Sequence, residues 1–122
     1  MEIKVIGIGG IGCALLPFLC RYLNYLEERV RITLIDGDEF ERANAPRQAF
    51  ERPGNKAQVK AAEMARQFDG LSFRAVPEYI TEANVGRALQ DGDVIFLAVD
   101  NHRTRKVVSD YCEKLDAVKL AG

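Results

Sequence analysis

A doubly wound α/β fold, with a mainly parallel sheet and helices on both faces, is predicted for this chain by three observations. Residues 4–12, KVIGIGGIG, run an apolar strand into a turn with Gly7, Gly9 and Gly12 at the G-x-G-x-x-G spacing and Gly10 as a fourth glycine. A second strand pattern, residues 31–36, RITLID, ends in an acid 24 residues after Gly12. A third, residues 93–99, DVIFLAV, is an almost unbroken apolar run, as a strand covered on both faces requires. Strands of this kind alternating with helical patterns give parallel sheets with crossover helices. The strand order expected for such a chain is 3-2-1-4-5, in a Rossmann-like arrangement.

Residues 2–8 form the first strand. Ile11, Ala14, Leu15, Phe18, Leu19, Tyr22, Leu23 and Leu26 then follow helical spacing and are expected to be the buried stripe of the first helix. Pro17 interrupts its hydrogen bonding, but the periodicity passes through the proline unbroken. Residues 40–55 read as irregular, punctuated by Pro46, Pro53 and Gly54. Asn55 is an expected N-cap for a helix to Phe68, with Ala57, Ala61, Met64, Ala65 and Phe68 inward. Residues 71–76 form a third strand, residues 80–89 a short helix, and residues 93–99 the fourth strand. Residues 102–115 form a helix with Val108, Tyr111, Cys112 and Leu115 inward, and residues 117–120 begin a fifth strand.

The 122 residues fit one domain, taken as 1–122, with a core that needs neither disulfides nor metal. A formal net charge of -1 provides no field to draw in nucleic acid or a membrane surface. Cys13, Cys20 and Cys112 make no C-x-x-C pair, which fits a reducing compartment, and they read as core or partly buried thiols. His102, the single histidine, has no partner at ligand or triad spacing and reads as a surface residue. The chain opens on a strand rather than a secretory leader, and no run approaches the ~18 apolar residues a membrane helix needs. A cytoplasmic protein is therefore expected.

The chemistry sits at the carboxyl ends of the strands. Glycine lets a phosphate approach the backbone closely, and a helix N-terminus beyond the turn offers free N–H groups and a favourable dipole. Taken alone, the glycine motif is either such a site or a bare strand–turn–helix junction, and it does not specify a nucleotide. Asp36 is placed either to accept hydrogen bonds from ribose hydroxyls or to serve as a turn residue before Gly37. Between residues 42 and 66 six basic residues face two acids, a local charge of +4. Lys60 and Arg66 read there as a solvated basic face. Arg47 and Lys56 fall in or just after the polar loop, where a phosphate tail reaches them. Asp100 follows the fourth strand either as a carboxylate for Mg²⁺ or as an N-cap, a task that Asn101 can take instead.

In order along the chain stand G-I-G-G-I-G, L-I-D-G-D, N-A-P-R-Q, G-N-K and A-V-D-N. This joint pattern resembles the ThiF/MoeB/HesA family of adenylating enzymes, relatives of the ubiquitin-activating enzymes, over nearly the whole chain and about the first half of the family's domain. The resemblance implies ATP with Mg²⁺. A substrate carboxylate, usually the C-terminal glycine of a ubiquitin-like or sulfur-carrier protein, would attack the α-phosphate to give an acyl-adenylate and pyrophosphate. Carried over by position, Gly9 and Gly10 meet the phosphates and Asp36 meets the ribose, with Gly7, Gly12 and Asp38 completing the two nucleotide-binding motifs. Asn44, Arg47, Gln48 and Lys56 orient and neutralise the triphosphate, and Asp100 engages Mg²⁺. Arg47, Lys56 and Asp100 are thus the expected catalytic set. The resemblance also implies a homodimer.

The family's N-terminal helix, its crossover loop with a catalytic cysteine and its two C-x-x-C motifs have no counterpart in these residues, so the domain is expected to be incomplete at its C-terminus. Two other readings compete. An NAD-binding oxidoreductase domain explains the glycines and Asp36 but not Arg47, Gln48 and Lys56. A non-catalytic relative would keep the fold for dimerisation. The carboxylate could also belong to a peptide or to a modified tRNA base.

Overall fold

The structure, a computed structural model, describes residues 1–26, 28–41 and 50–122. Five parallel strands form its central sheet: β1 (Glu2–Ile6), β2 (Arg31–Ile35), β5 (Ser72–Val76), β6 (Val94–Leu97) and β7 (Lys119–Ala121). Their spatial order is β5-β2-β1-β6-β7. This is the predicted 3-2-1-4-5 order, with a small hairpin inserted in the numbering. That hairpin, β3 (Glu39–Phe40) with β4 (Gly54–Asn55), pairs antiparallel. Its residues therefore depart from the irregular segment expected from 40 to 55, because Phe40 is buried and stacks on Phe50 with ring centroids 4.8 Å apart.

Helices cover both faces, as the near-continuous apolar strands require. On one face α1 (Gly10–Tyr25) and α2 (Lys56–Gln67) pack Leu16, Cys20, Leu23, Ala57, Ala61 and Met64 against Ile3, Val5, Ile32 and Leu34. On the other, Val85 of α3 (Val85–Ala88) and Val108 and Cys112 of α4 (His102–Cys112) meet Ile6, Ile35, Ile95 and Leu97. The alternation along each strand sends successive side chains to the two cores. All three cysteines are free; Cys20 and Cys112 are buried and Cys13 partly so, as expected.

Four expectations are corrected. The buried stripe of α1 is Gly12, Leu16, Cys20 and Leu23, while Ile11, Phe18 and Tyr22 stand outward at 63–70% exposure. An apolar residue occurs on nearly every side of this helix, so periodicity cannot pick the sheet-facing stripe; the close approach at Gly12 does. The segment from 80 to 89 is helical only at Val85–Ala88. Ala65 is exposed rather than inward. Lys60 is not solvated: it is 3% exposed, forms an ion pair with Glu63 at 2.7 Å and lies 4.8 Å from the centre of the Phe50 ring. Arg66 stays on the surface, paired with Glu51.

One buried ion pair shapes the second core. Lys4 on β1 is 5% exposed and donates to the Ala88 carbonyl (2.6 Å), Gln90 Oε1 (2.9 Å) and Asp93 Oδ2 (2.9 Å). All three ammonium protons are thereby satisfied, the condition under which a charge is tolerated inside a protein. Among the described residues no helix is long and apolar enough to cross a membrane.

Candidate functional site

At the carboxyl ends of β1, β2, β5 and β6 lies an open cleft of about 390 Å³. Gly7, Gly9 and Gly10 border it on one side, Asp36 and Asp38 on another, then Glu78–Ile80 and finally Ala98–Asn101 with Thr104. Such a position outside the strand ends, where the chain direction reverses between neighbouring crossovers, is where open α/β sheets bind ligands.

The four motif glycines divide into two kinds. Gly7 has φ +97°, and a Cβ there would stand 2.6 Å from Val99 Cγ1. A Cβ on Gly12 would stand 2.2 Å from the Gly7 carbonyl oxygen. These two are required by the fold itself, one for its turn and one for the approach of α1 to the strand. Gly12 does not line the cleft. A Cβ on Gly9 or on Gly10 would meet nothing within 4 Å, and both residues border the cleft. The fold therefore has no steric need for glycine at Gly9 and Gly10, and their lack of side chains leaves open space at the border of the cleft.

Gly9 caps α1 without a side-chain bond, and no acid occupies the first turn. The leading N–H groups of the helix are thus left for an anion, with the helix dipole behind them. Asp36 faces this turn. It is 8% exposed, accepts from the Ile8 N–H at 2.6 Å and from the Asp38 N–H at 2.8 Å, and so ties the glycine loop to the end of β2. A carboxylate has about four acceptor sites, so each oxygen keeps one for a sugar hydroxyl. Asp36 has a structural task as well as the position for the expected one.

Asn55 caps α2 as predicted, its Oδ1 accepting from Gln58 N at 3.0 Å. Its Nδ2 donates to the Asp36 and Asp38 carbonyls at 2.9 and 3.3 Å. The same loop is held by the bond from Lys56 N to the Asp38 carbonyl at 2.9 Å. These bonds deliver Lys56 beside the acids, with Nζ 3.7 Å from Asp38 Oδ2 and a side chain only 10% exposed. Lys56 does not itself line the cleft; Asp38 lies between. Burial pushes the thiol of Cys13, in the first turn of α1, above its ordinary range, while the Lys60 and Lys56 ammoniums oppose that shift.

Asp100 is exposed, borders the cleft and makes no hydrogen bond or ion pair with another described residue. The N-cap of α4 is Asn101, whose Oδ1 accepts from Arg103 N (2.8 Å) and Thr104 N (3.3 Å). The alternative task for Asp100 is thus already filled. His102 is exposed, as expected. The expected Asn44, Arg47 and Gln48 lie outside the described residues.

Among the described residues lining the cleft are four carboxylates, Asp36, Asp38, Glu78 and Asp100, and no lysine or arginine. An anion in this cleft would need positive charge from beyond its described lining, and the nearest described sources are Lys56 beside Asp38 and the start of α1. No cluster of three metal-ligating side chains occurs among the described residues. A dedicated protein cage is therefore absent there, whereas Mg²⁺ is usually held by one or two carboxylates together with substrate phosphates. Among the described residues lining the cleft, Asp100 is the carboxylate without a partner, and it fits that second mode.

Sequence reasoning missed Glu78, Tyr79 and Ile80, which follow β5 and line the cleft. The signal was present. The rule that points to Asp36 and Asp100 after their strands applies equally to the residues after the third strand, but no motif marks them.

Comparison with known proteins agrees with this architecture. In solved structures the chain is similar to the E. coli tRNA N6-threonylcarbamoyladenosine dehydratase TcdA in complex with ATP, with TM-score 0.74 and 26% identity, covering 98% of this chain and 49% of that one. It shares its fold with E. coli MccB, solved with ATP, at TM-score 0.75 and 22% identity over 93% of this chain and 34% of that one. Among curated proteins it is 28% identical to the adenylyltransferase and sulfurtransferase MOCS3 of Danio rerio, over 92% of this chain and 24% of that protein. It is 27% identical to the SAMP-activating enzyme E1 of Haloferax volcanii, over 91% of this chain and 41% of that protein. The chain thus spans less than half the length of these relatives. The ThiF family model matches residues 1–121, and the chain belongs to the ThiF family.

Proposed function

We propose that this chain forms the ATP-binding part of an adenylating enzyme that activates a carboxylate. The observation that carries the reading is the pair Gly9 and Gly10, open to the cleft at the uncapped start of α1 and opposite Asp36 and Asp100. It is supported by the adenylyltransferase names of the curated relatives and by ATP in the TcdA complex. In this reading the helix terminus and Gly9–Gly10 backbone receive the phosphates, Asp36 accepts from the ribose hydroxyls, and Lys56 leaves Asp38 to neutralise phosphate oxygens. Asp100 would hold Mg²⁺, which supplies charge neutralisation at the phosphates when bound.

The chemistry suits these groups. A carboxylate is already ionised at neutral pH and needs no strong base. Its oxygen attacks the α-phosphorus, the bond from that phosphorus to the bridging oxygen breaks, and pyrophosphate departs with the electron pair. What the protein supplies is alignment and neutralisation of charge. Arg47, with Asn44 and Gln48, completes the positive side of the site in this proposal.

The carboxylate partner is proposed to be the C-terminal glycine of a ubiquitin-like or sulfur-carrier protein, and the assembly a homodimer. The partner is supported by the names of the MOCS3 and SAMP-activating relatives. The likeness to TcdA favours a second substrate, the carboxylate of a modified tRNA base.

The test is thermal unfolding with and without Mg·ATP, with NAD⁺ in parallel. ATP at about a hundred times its dissociation constant adds about 2.7 kcal/mol of stability. Lys56→Ala and Asp100→Ala are each expected to shrink that gain while melting as cooperatively as the parent. A response to NAD⁺ alone would replace the adenylation reading with an oxidoreductase one. With ATP binding established, pyrophosphate release on adding each candidate carboxylate separates the two substrates.

A further inference from the structure

Asn55 does more than cap a helix. It is 7% exposed, and both polar atoms of its side chain are bonded. Oδ1 accepts from Gln58 N at 3.0 Å, which is the cap of α2. Nδ2 carries two N–H groups and donates to the Asp36 carbonyl at 2.9 Å and to the Asp38 carbonyl at 3.3 Å. A cap requires only the acceptor, which serine or aspartate supplies equally well. The two donors are extra, and asparagine is the short side chain that carries them together with the acceptor. They fasten the first turn of α2 to loop residues 19 and 17 positions earlier in the chain.

What hangs on this clamp is Lys56 rather than Asp36. The Asp36 carboxylate is fixed without Asn55, by Ile8 N at 2.6 Å and Asp38 N at 2.8 Å, and the Asp36 N–H donates to the Val76 carbonyl at 3.2 Å. Among the described residues, the start of α2 is otherwise joined to that loop by the short β3–β4 pairing and by the bond from Lys56 N to the Asp38 carbonyl at 2.9 Å. The body of the helix is held elsewhere, through Ala61 and Met64 in the core. Loss of the clamp therefore frees the first turn while the helix stays in place. We propose that Asn55 is a positioning residue for Lys56: its two donors lock the loop after β2 to α2, so that the Lys56 ammonium stands beside Asp38 within reach of phosphate oxygens. This rests on the nucleotide-binding reading above, in which Lys56 neutralises phosphate. A lysine is a point charge on a flexible four-carbon stem, so its placement comes from the backbone that carries it and from the walls around the stem. Here the side chain is 10% exposed, with Nζ 3.7 Å from Asp38 Oδ2. A charge placed in advance loses less freedom on binding its ligand.

The experiment is a double-mutant cycle in equilibrium binding of Mg·ATP to the whole chain, with the parent, Asn55→Ser, Lys56→Ala and the double variant, and with Asn55→Ala as a control. Serine keeps the cap and loses both donors, whereas alanine loses all three bonds. Asn55→Ser should therefore resist urea better than Asn55→Ala, which also shows that it is folded, yet bind ATP as weakly, about tenfold below the parent. In the Lys56→Ala background the same serine change should cost less than about twofold, because the lysine through which Asn55 acts is gone. The lysine also gives a readout that needs no nucleotide. Limited acetylation followed by mass spectrometry should label Lys56 faster in Asn55→Ser than in the parent, with the exposed Lys114 unchanged. Parent-like ATP affinity in Asn55→Ser, or unchanged labelling of Lys56, overturns the proposal and leaves the nucleotide reading intact. So does a loss that persists undiminished in the Lys56→Ala background, which would make Asn55 merely structural. Absence of ATP binding by the parent overturns the nucleotide reading and this proposal with it.

Discussion

Replacing Gly10 and Gly12 by alanine, one at a time, separates what the glycine loop does for the fold from what it does for a ligand. A Cβ on Gly10 meets nothing within 4 Å, and the residue begins α1. Alanine there restricts the unfolded chain and suits a helix, so the unliganded protein should gain about 0.4–1 kcal/mol. The same methyl occupies the space in front of the helix N–H groups. Loss of one or two charge-assisted hydrogen bonds to phosphate costs about 3 kcal/mol, roughly a hundredfold in affinity. With ATP fixed at about a hundred times the parent's dissociation constant, the ligand-induced gain should fall from about 2.7 to about 0.4 kcal/mol. At this chain length that reduces a thermal shift of about 10 °C to about 2 °C, at about 4 °C per kcal/mol. Gly12→Ala should behave in the opposite way. Its methyl would stand 2.2 Å from the Gly7 carbonyl, against about 3.4 Å for ordinary contact, so helix and loop must part by about an ångström. Overpacking of this kind costs about 1–3 kcal/mol, visible as a lowered melting temperature without any ligand. Differential scanning calorimetry with and without Mg·ATP reads both. An undiminished ATP shift in Gly10→Ala, or a parent-like melting temperature in Gly12→Ala, would refute the division.

Other outcomes follow from the same packing. Lys4→Met strands the Asp93 carboxylate in the core and should cost about 3–5 kcal/mol in urea unfolding, with part restored by Asp93→Asn in the same chain; a cost below about 1 kcal/mol would mean that water reaches the pair. Burial pushes the Cys20 thiol up to about 12 from 9.0. Above pH 9 the unfolded state then releases a proton that the folded state keeps, so stability should fall as pH rises from 9 towards 12. Cys20→Ala should flatten that fall in pH-dependent melts, in part only, because burial raises Cys13 and Cys112 in the same direction. For the same reason Cys20 should resist alkylation at pH 8 until the protein unfolds, as mass spectrometry after iodoacetamide would show.

The order of the sheet and the ends of its strands were legible in the sequence because they depend on local rules. Apolar runs of strand length between helical patterns leave few topologies, and right-handed crossovers select among them. Asn55 and Asn101 were readable as caps because capping is settled within three residues. Asp36 and Asp100 were readable because acids after parallel strands face the ligand side of the sheet. Lys60 was misread as a solvated base because its environment comes from residues distant in the chain or folded back on it, the Phe50 ring and Glu63 on its own helix.

The chain's local pattern by itself determined a glycine loop, an acid after the second strand and a parallel sheet, since each follows from spacing and residue type. Tertiary structure alone decided which face of α1 is buried, because Gly12 sets the approach of helix to strand across the fold. It alone showed that Gly9 and Gly10 differ from Gly7 and Gly12 in what surrounds each missing Cβ, open space at the first pair and packed atoms at the second. And it alone brought Tyr79 over Gly37 and onto Asp38, 41 residues away in sequence, because only the pairing of β2 with β5 makes those two strand ends neighbours.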